Sequence, residues 1–221
     1  MLSIVTTCMG RLDYLKQTVD SYLAVLDSEV VVVDYSDPDR CGDWLKANRP
    51  TVRVVSVPGE KYFNAASARN AGAAAAKGDW LAMVDSDVIL RPEFRQVVEP
   101  LMKPGRFIST DKEPNLGDLL IVRAEDFHSV AGYDVRFEGW GPEDRDIKYA
   151  LEEGKHLHRF ELAGCGAMPC THIDHDDALR TANHKVKDKH VSGKQGSRLI
   201  KQNRKDRSAR HGGLELDGGG K

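Results

Sequence analysis

The feature of this chain that most constrains its fold is an alternation of short apolar runs with helix-patterned segments. Four consecutive valines occur in EVVVVDYSD, residues 29–37, as is typical of a strand buried on both faces. Further strand-like runs and segments with helical spacing of apolar residues alternate around it, at residues 3–8, 11–26, 52–57, 64–78 and 80–88. This order predicts an α/β fold with a mostly parallel sheet flanked by helices.

Composition indicates an ordinary globular chain with an uneven charge distribution. The 221 residues are 40% apolar and 30% charged, and the formal net charge is -2. That net charge predicts no overall attraction to nucleic acid or membranes. Between Arg180 and His211, however, eleven Lys and Arg residues stand against two acidic residues. The sequence therefore predicts a basic, flexible C-terminal tail that contacts a polyanion, with a merely solvated basic helix or disordered segment as the alternative.

No segment predicts a membrane span or a targeting signal. No apolar run reaches the roughly 18 residues that a transmembrane helix needs, and strand-like sequence begins at residue 3. The four cysteines match no zinc or redox spacing, which favours reduced thiols. We therefore expect a cytoplasmic protein, which would be peripheral if it works at a membrane.

Acidic side chains follow two of the predicted strands at the point where each strand ends. Asp34 ends the valine strand, and Asp85 and Asp87 follow the apolar run WLAMV. In an open parallel sheet these ends line one crevice, where clustered carboxylates repel each other unless a cation lies between them. Oxygen ligands suit Mg²⁺ or Mn²⁺, which keep positions open for substrate phosphates. The alternative is that Asp85-Ser86-Asp87 only ends a strand and caps the next turn.

Four motifs, in this order along the chain, resemble those of the GT-A fold glycosyltransferases: SIVTTCMGR, VVVDYSD, FNAASARNAGAAAAKGDWLAMVDSDV and FEGWGPEDRDI. The first three are similar to the donor half of family 2-like enzymes. The last, residues 137–147, is similar to the W-G-x-E-D-x-D block of the β-1,4-galactosyltransferases and polypeptide GalNAc-transferases. The resemblance spans about residues 2–185 and implies a single Rossmann-like GT-A domain. In it, residues 1–110 would bind a nucleotide sugar, residues 111–185 would bind the acceptor and carry catalysis, and the tail would follow at 186–221.

The resemblance also implies the donor site and its cofactor. Thr6, Thr7 and Arg11 would contact the nucleotide, and Asp34 and Ser36 would lie near its base. Arg69 would contact the diphosphate. Asp85 would approach the ribose or the metal, and Asp87 would ligate the metal. A late histidine would complete the metal site, and THIDHDD offers His172 and His175, between which spacing does not decide. A nitrogen ligand favours Mn²⁺ over Mg²⁺ as the cofactor.

On the acceptor side the resemblance implies a cluster of Trp140, Gly141, Glu143 and Asp144. Asp144 would act as the general base that takes the proton of an acceptor hydroxyl, and Trp140 would offer an aromatic face to a sugar ring. The alternative is an acid-rich helix start that the helix dipole favours. Asp146 is the next candidate carboxylate.

Together these features predict a metal-dependent, inverting glycosyltransferase that uses a nucleoside-diphosphate sugar, with UDP as the expected nucleotide. The acceptor would be a glycan, a lipid-linked molecule or a nucleic acid, and the lack of a stem and an anchor favours a bacterial or phage enzyme. One alternative is a phage-type enzyme that glycosylates a hydroxylated DNA base and uses the basic tail to hold phosphates. Two others are a nucleotidyltransferase and a non-catalytic sugar-nucleotide-binding protein.

Overall fold

The computed structural model describes residues 1–110, 119–162, 168–174 and 181–214, with side chains described up to residue 209. The strands are β1 (Leu2–Cys8), β2 (Ser28–Asp34), β3 (Arg53–Ser56), β4 (Trp80–Met83), β5 (Val88–Leu90), β6 (Arg106–Ser109), β7 (Leu120–Arg123), β8 (His158–Glu161) and β9 (Cys170–His172). The helices are α1 (Leu12–Leu23), α2 (Cys41–Asn48), α3 (Ala65–Ala75), α4 (Phe94–Val98), α5 (Ala124–Ser129), α6 (Glu143–Lys155) and α7 (Lys189–Leu214). A short 3₁₀ turn, Glu99–Leu101, follows α4.

The central sheet has the strand order β3-β2-β1-β4-β7-β6-β8. Within the described residues six of these strands run in one direction, and β7 alone runs against both of its neighbours. β1 lies between β2 and β4, with Cys8 opposite Asp34 and Val5 opposite Met83. The carboxyl ends of these three strands therefore meet at one edge of the sheet, and the predicted α/β fold is confirmed.

The valine run of β2 packs on both faces of the sheet. Val30 and Val32 belong to an apolar core that α1 completes with Leu15 and Val19. Val31 belongs to a second core on the opposite face, to which α3, α5 and α6 contribute. Because successive side chains of a strand point to opposite faces, this division shows that helices cover both sides of the sheet.

Helix α3 lies close against β1 because its inner face is built from small residues. Asn64 caps its first turn, since its side-chain oxygen accepts a hydrogen bond from the Ser67 amide at 2.8 Å, as the sequence predicts. A Cβ at Gly72 would clash with Val5 Cγ1. The missing side chain at Gly72 therefore permits the close approach that brings Arg69, one turn earlier, to the edge of the sheet.

A second, two-stranded sheet joins the turn at Asp85-Ser86-Asp87, here called the D-x-D turn, to the late histidine His172. β5 pairs with β9 in antiparallel fashion, which places Val88 opposite His172. The Ile173 amide also donates a hydrogen bond to the Asp87 carbonyl at 2.8 Å. Backbone pairing thus carries His172 next to Asp87, although the two residues are far apart in the sequence.

Residues 189–214 form a long helix, α7, where the sequence predicts a flexible tail. Its inner face is buried and consists of Ser192, Gly196, Ile200 and Asn203. Asn203 donates a hydrogen bond to the Asp146 carboxylate at 3.1 Å, and Arg207 pairs with the same carboxylate at 3.3 Å. The prediction of a flexible tail is therefore wrong for this segment, because a face made of small and polar residues gives no apolar periodicity. None of the described helices, α7 included, has the length and apolar composition needed to cross a bilayer.

The close packing of α3 can be tested by substituting one glycine. Gly72→Ala should lower the free energy of unfolding by roughly 1–3 kcal/mol, because the new methyl group overlaps Val5. The matched control is Gly193→Ala on α7, where a Cβ meets no atom within 4 Å and should raise helix stability by up to about 1 kcal/mol. Urea unfolding of both variants measures the difference, and equal stability of the two would contradict the close approach.

Candidate functional site

The edge formed by the ends of β1, β2 and β4 carries several of the predicted donor-side residues. Thr6 and Thr7 are 1% and 8% exposed, so their side chains lie beneath this edge rather than on its surface. Asp34 ends β2, and its carboxylate accepts hydrogen bonds from the amides of Asp37 at 3.0 Å and Gly42 at 3.2 Å. Asp34 therefore holds the loop that leads into α2.

Ser36 fixes the neighbouring loop. Its hydroxyl donates a hydrogen bond to the Val57 carbonyl at 2.8 Å and accepts one from the Glu60 amide at 2.9 Å. The backbone of Ser36 has a φ of 52°, which is uncommon for a residue with a side chain. Both hydroxyl bonds therefore serve to join the loops after β2 and β3, which border the predicted nucleotide site.

Arg69 lies at the centre of the site and contacts three carboxylates. Its Nη2 donates to Asp85 Oδ1 at 2.8 Å, while its Nη1 lies 3.1 Å from both Glu143 Oε1 and Asp144 Oδ1. The Arg69 residue is 6% exposed, and its guanidinium lies 5.4 Å from the centre of the Tyr133 ring. One buried cation thus joins the D-x-D turn to the start of α6.

The shared cation changes the acidity of its neighbours. Burial by itself lowers the pKa of the Arg69 guanidinium, but the carboxylates of Asp144 and Asp85 raise that pKa well above its ordinary value. Burial also raises the pKa of the Asp144 carboxyl to about 7, with Arg69 opposing the rise and Glu143 adding to it. At neutral pH, Asp144 is therefore close to the point where it can gain or lose a proton.

Asp87 lies between a histidine and an arginine. His172 Nε2 is 3.8 Å from Asp87 Oδ1, and Arg11 Nη1 is 3.7 Å from Asp87 Oδ2. His172 Nδ1 is in turn 3.7 Å from the Asp174 carboxylate. The structure thus brings together three of the predicted donor-side residues, whereas His175 lies outside the described residues.

The Asp87 and His172 side chains fit a divalent cation. One ion can contact two ligand atoms only if they lie closer than about twice the metal–ligand distance of roughly 2.1 Å, and 3.8 Å satisfies this. Asp85 stands apart, because its carboxylate is turned to Arg69 and forms no three-residue group with the other two within 4.8 Å. Two of the predicted metal ligands, Asp87 and His172, therefore lie close enough to share one ion. Asp85 could contact the same ion only after its carboxylate leaves Arg69.

A different set of possible ligand atoms lies within 4.8 Å at Cys8, Asp37 and Cys41. The Asp37 carboxylate already accepts hydrogen bonds from the amides of Gly10 and Cys41. A hydrogen bond to Cys8 and burial both raise the pKa of the Cys41 thiol, which disfavours the thiolate that a metal requires. This cluster therefore serves the start of α2 and not the predicted metal site.

The loop before α6 carries the acceptor-side residues. Trp140 is 41% exposed, and Gly141 and Pro142 connect it to Glu143 and Asp144 at the first turn of α6. Lys189 Nζ lies 5.1 Å from the centre of the Trp140 ring. The acid-rich first turn fits the helix dipole, and it also places Asp144 against Arg69, so the structural interpretation of the motif does not exclude the catalytic one.

Sequence reasoning missed the side chains that hold the D-x-D turn. The Tyr22 hydroxyl lies 2.9 Å from the Asp85 carbonyl and 2.7 Å from the Val88 carbonyl, and the Thr18 hydroxyl lies 2.9 Å from the Ser86 carbonyl. Both hydroxyl groups project from the buried face of α1. They occupy positions in the apolar periodicity of that helix, so the sequence signals only core packing.

Sequence reasoning also missed Asn183 and His184, which lie near the end of β1 although they are more than 170 residues away from it in the sequence. Asn183 donates a hydrogen bond to the Met9 carbonyl at 2.8 Å, and His184 Nδ1 lies 3.1 Å from the Phe63 carbonyl. Burial lowers the pKa of the His184 imidazole to about 4, with Arg11 and Arg69 adding to the effect. His184 therefore stays neutral at physiological pH beside the two arginines. No motif in the sequence marks these residues.

Comparisons with known proteins show a family match and a shared fold. A sequence model described as "Glycosyl transferase family 2" matches residues 3–149. The chain is also similar to the succinoglycan biosynthesis protein ExoO of Rhizobium meliloti (strain 1021), with 33% identity over 114 residues. That alignment covers 50% of this chain and 32% of ExoO, so the chain spans about a third of the length of this curated relative.

Solved structures share the fold at low sequence identity. TarS 1-349 of S. aureus aligns with a TM-score of 0.58 and 15% identity, over 69% of this chain and 55% of that chain. The mannosyltransferase PcManGT of Pyrobaculum calidifontis, solved with GDP-Man and Mn²⁺, aligns with a TM-score of 0.57 and 16% identity, over 72% of this chain and 54% of that chain. TarS has also been solved with UDP and with UDP-GlcNAc. The chain thus spans about half the length of these structures.

The role of α1 in holding the D-x-D turn can be tested at Thr18. Thr18→Val leaves the Ser86 carbonyl without its hydroxyl donor and should lower the free energy of unfolding by roughly 1–3 kcal/mol. Thr18→Ser keeps the hydroxyl and removes one methyl group, so its loss should be smaller, about 0.8 kcal/mol. Hydrogen exchange at residues 85–88, measured beside denaturant unfolding, should quicken only in the valine variant. Equal effects of both variants would show that packing alone holds the turn.

Proposed function

The chain belongs to glycosyl transferase family 2, and we propose that it is a metal-dependent enzyme that transfers a sugar from a nucleoside-diphosphate sugar to an acceptor hydroxyl. Its fold is that of the GT-A glycosyltransferases. The observation that carries the proposal is the bridge of Arg69 between Asp85 on the donor side and Asp144 on the acceptor side. A transferase must hold the donor and the acceptor next to each other, so that the acceptor hydroxyl can reach the anomeric carbon of the donor.

On the donor side, Asp87 and His172 would hold the divalent ion, and Asp85 would join them once it leaves Arg69. A bound ion supplies neutralisation of the negative charge that develops on the leaving diphosphate. Mn²⁺ is the proposed ion, because the histidine nitrogen suits it better than Mg²⁺. Arg69 and Arg11 are the cations that would bind the phosphate oxygens, as arginine does through paired hydrogen bonds.

UDP is the proposed nucleotide. The likeness to structures solved with UDP, UDP-GlcNAc and GDP-Man supports a nucleotide sugar as donor. Asp34 and Ser36 fix the loops at the ends of β2 and β3, where the base would bind. Thr6 and Thr7 would support this site from within β1, since their side chains are buried.

On the acceptor side, Asp144 would take the proton of the acceptor hydroxyl as that oxygen attacks the anomeric carbon. The new carbon–oxygen bond forms as the bond from the anomeric carbon to the diphosphate breaks, and the diphosphate keeps the electron pair. A single displacement of this kind inverts the anomeric configuration. Glu143 shares Arg69 with Asp144 and would keep the base in place, while Trp140 and Gly141 would border the acceptor sugar.

The proposed acceptor is a saccharide hydroxyl, carried by a glycan or a lipid, in the cytoplasm or at its membrane face. The basic C-terminal segment would contact a polyanion, and a DNA-modifying enzyme is the alternative that uses the same charge. A nucleotidyltransferase would release diphosphate and retain the nucleotide in its product, which product analysis separates from sugar transfer. A buried carboxyl whose pKa is near 7 is typical of acid–base sites, which favours an enzyme over a purely binding protein.

Metal-dependent donor binding can be tested by thermal shift with a panel of nucleotide sugars, with and without Mn²⁺. A ligand that binds only the folded state raises the melting temperature, so the true donor should stand out. Asp87→Asn should weaken Mn²⁺-dependent donor binding roughly tenfold or more, because it replaces an anionic ligand by a neutral one. The matched control is Asp13→Asn, an exposed carboxyl on α1. A full Mn²⁺-dependent shift in the Asp87 variant would contradict the assignment.

The role of Asp144 predicts a characteristic pH dependence. Asp144 acts as a base only when ionised, and its ionised fraction falls as the pH falls below about 7. The rate of transfer at saturating donor should therefore drop about tenfold per pH unit below that value and level off above it. Asp144→Asn should retain donor binding and lose transfer by roughly 100- to 10,000-fold. Unchanged transfer in this variant would remove Asp144 from the role of base.

A further inference from the structure

The outer face of α7 carries a straight row of cations. Lys194, Arg198, Lys201 and Lys205 follow the spacing i, i+4, i+7, i+11, which places them on one side of the helix over about 16 Å. All four side chains are exposed, and they lie opposite the buried inner face of α7. We call these four residues the basic row. This segment lies beyond residues 3–149, so the match to the family model does not include it.

The basic row differs from the other cations of the same helix. Arg204 and Arg207 pair with Glu153 at 2.6 Å and 3.1 Å, and Arg207 also pairs with Asp146. In the described part of the chain, no residue of the basic row forms a hydrogen bond or an ion pair. The cations that attach α7 to the domain are thus matched by carboxylates, whereas the four on the outer face have charge to offer to a partner.

An open cavity of about 540 Å³ lies at the C-terminal end of the basic row. Glu153, His156, Arg204, Lys205 and Ser208 line it. Lys205 belongs both to the row and to the cavity. Lys205 and Ser208 offer an ammonium and a hydroxyl group to an anion there, whereas Arg204 is already paired with Glu153.

We propose that the outer face of α7 docks on the surface of an anionic bilayer, with lipid phosphates as the groups that the basic row and the cavity bind. A row on a convex helix presents its charges to a flat surface and forms no groove around a polymer strand. Val191, 44% exposed, lies on α7 one turn before Lys194 and can enter the interface, where apolar side chains beside basic ones strengthen binding.

Docking on this face would hold the acceptor loop one helix diameter, roughly 10 Å, from the lipid. The Ser192 hydroxyl on the inner side of α7 donates a hydrogen bond to the Trp140 carbonyl, and Gly196 packs against Pro142. The helix that touches the bilayer is thus also the helix that holds Trp140. This step rests on the proposed function and narrows it, since the acceptor sugar would be carried by a lipid.

Vesicle sedimentation tests the docking surface. The full chain should bind vesicles of phosphatidylcholine mixed with phosphatidylglycerol, should not bind phosphatidylcholine alone, and should be released as salt rises from about 0.15 M to about 1 M. Each basic residue near an anionic surface strengthens binding by roughly fivefold. Replacing the basic row by Lys194→Gln, Arg198→Gln, Lys201→Gln and Lys205→Gln together should therefore weaken vesicle binding by up to roughly 600-fold, the product of four such factors.

The matched control changes the net charge by the same amount on other surfaces. Lys46→Gln, Lys61→Gln, Lys77→Gln and Lys103→Gln replace four exposed lysines outside α7 and should leave vesicle binding unchanged. Circular dichroism checks that both variants fold, and the single reversal Lys201→Glu provides a milder test of the row. Equal loss in the two fourfold variants, or binding that salt does not weaken, would overturn the proposal.

Two further measurements distinguish lipid docking from nucleic-acid binding and from the proposed function. Tighter binding of the wild-type chain to a DNA duplex than to the anionic vesicles would overturn the lipid assignment in favour of nucleic acid. Thermal shift with Mn²⁺ and nucleotide sugars should be unchanged in the basic-row variant, because the donor residues lie on the other side of α6. A chain that binds vesicles through α7 but shows no donor binding would refute the proposed function and leave the docking surface standing.

Discussion

The site depends on one buried cation shared by three carboxylates. Arg69 and the buried Lys148, whose charge also acts on Asp144, oppose the three carboxyl groups of Asp85, Glu143 and Asp144, so full ionisation leaves excess negative charge in a place from which water is largely excluded. Burying unbalanced charge is costly, and the raised pKa of Asp144 shows part of that cost. Such a cluster becomes balanced when another cation enters. A divalent ion beside Asp87 would supply that charge, and a diphosphate would then compete for Arg69. The same interaction would thus account both for the cohesion of the cluster and for the proposed binding of a donor.

The elements around this cation are positioned by backbone pairing and by buried hydroxyl groups. The short pair of β5 and β9 sets His172 beside Asp87, and α1 holds the carbonyls of the D-x-D turn through Thr18 and Tyr22. These contacts are made far from solvent, where an unpaired carbonyl is expensive, so they define the turn closely. The carboxylates of the D-x-D turn therefore keep fixed positions although they repel one another.

Helix α7 connects the site to the exterior of the molecule. Its inner face anchors to α6 through Asp146 and supports the loop of Trp140, while its outer face carries the basic row. Asp146 was the second candidate for the base in the sequence, and its pairing with Arg207 and Asn203 explains why it is structural instead. A charge pattern that looks uniform along the chain thus divides into cations that hold the helix and cations that face outward. The first set anchors the helix, and the second set is the one that the docking proposal assigns to lipid phosphates.

The sequence by itself determined the fold class, the order of the elements and the edge of the sheet where the site lies. Strand and helix periods are local properties, so the valine run, the N-cap at Asn64 and the acid-rich start of α6 could be recognised residue by residue. Tertiary structure alone decided that Arg69 contacts Asp144, that His172 lies against Asp87, and that the basic segment is a docked helix. Each of these depends on contacts between residues distant in sequence or on a buried face without apolar periodicity. Local patterns contain no information about such pairings, because the energy that fixes them exists only after the chain has folded.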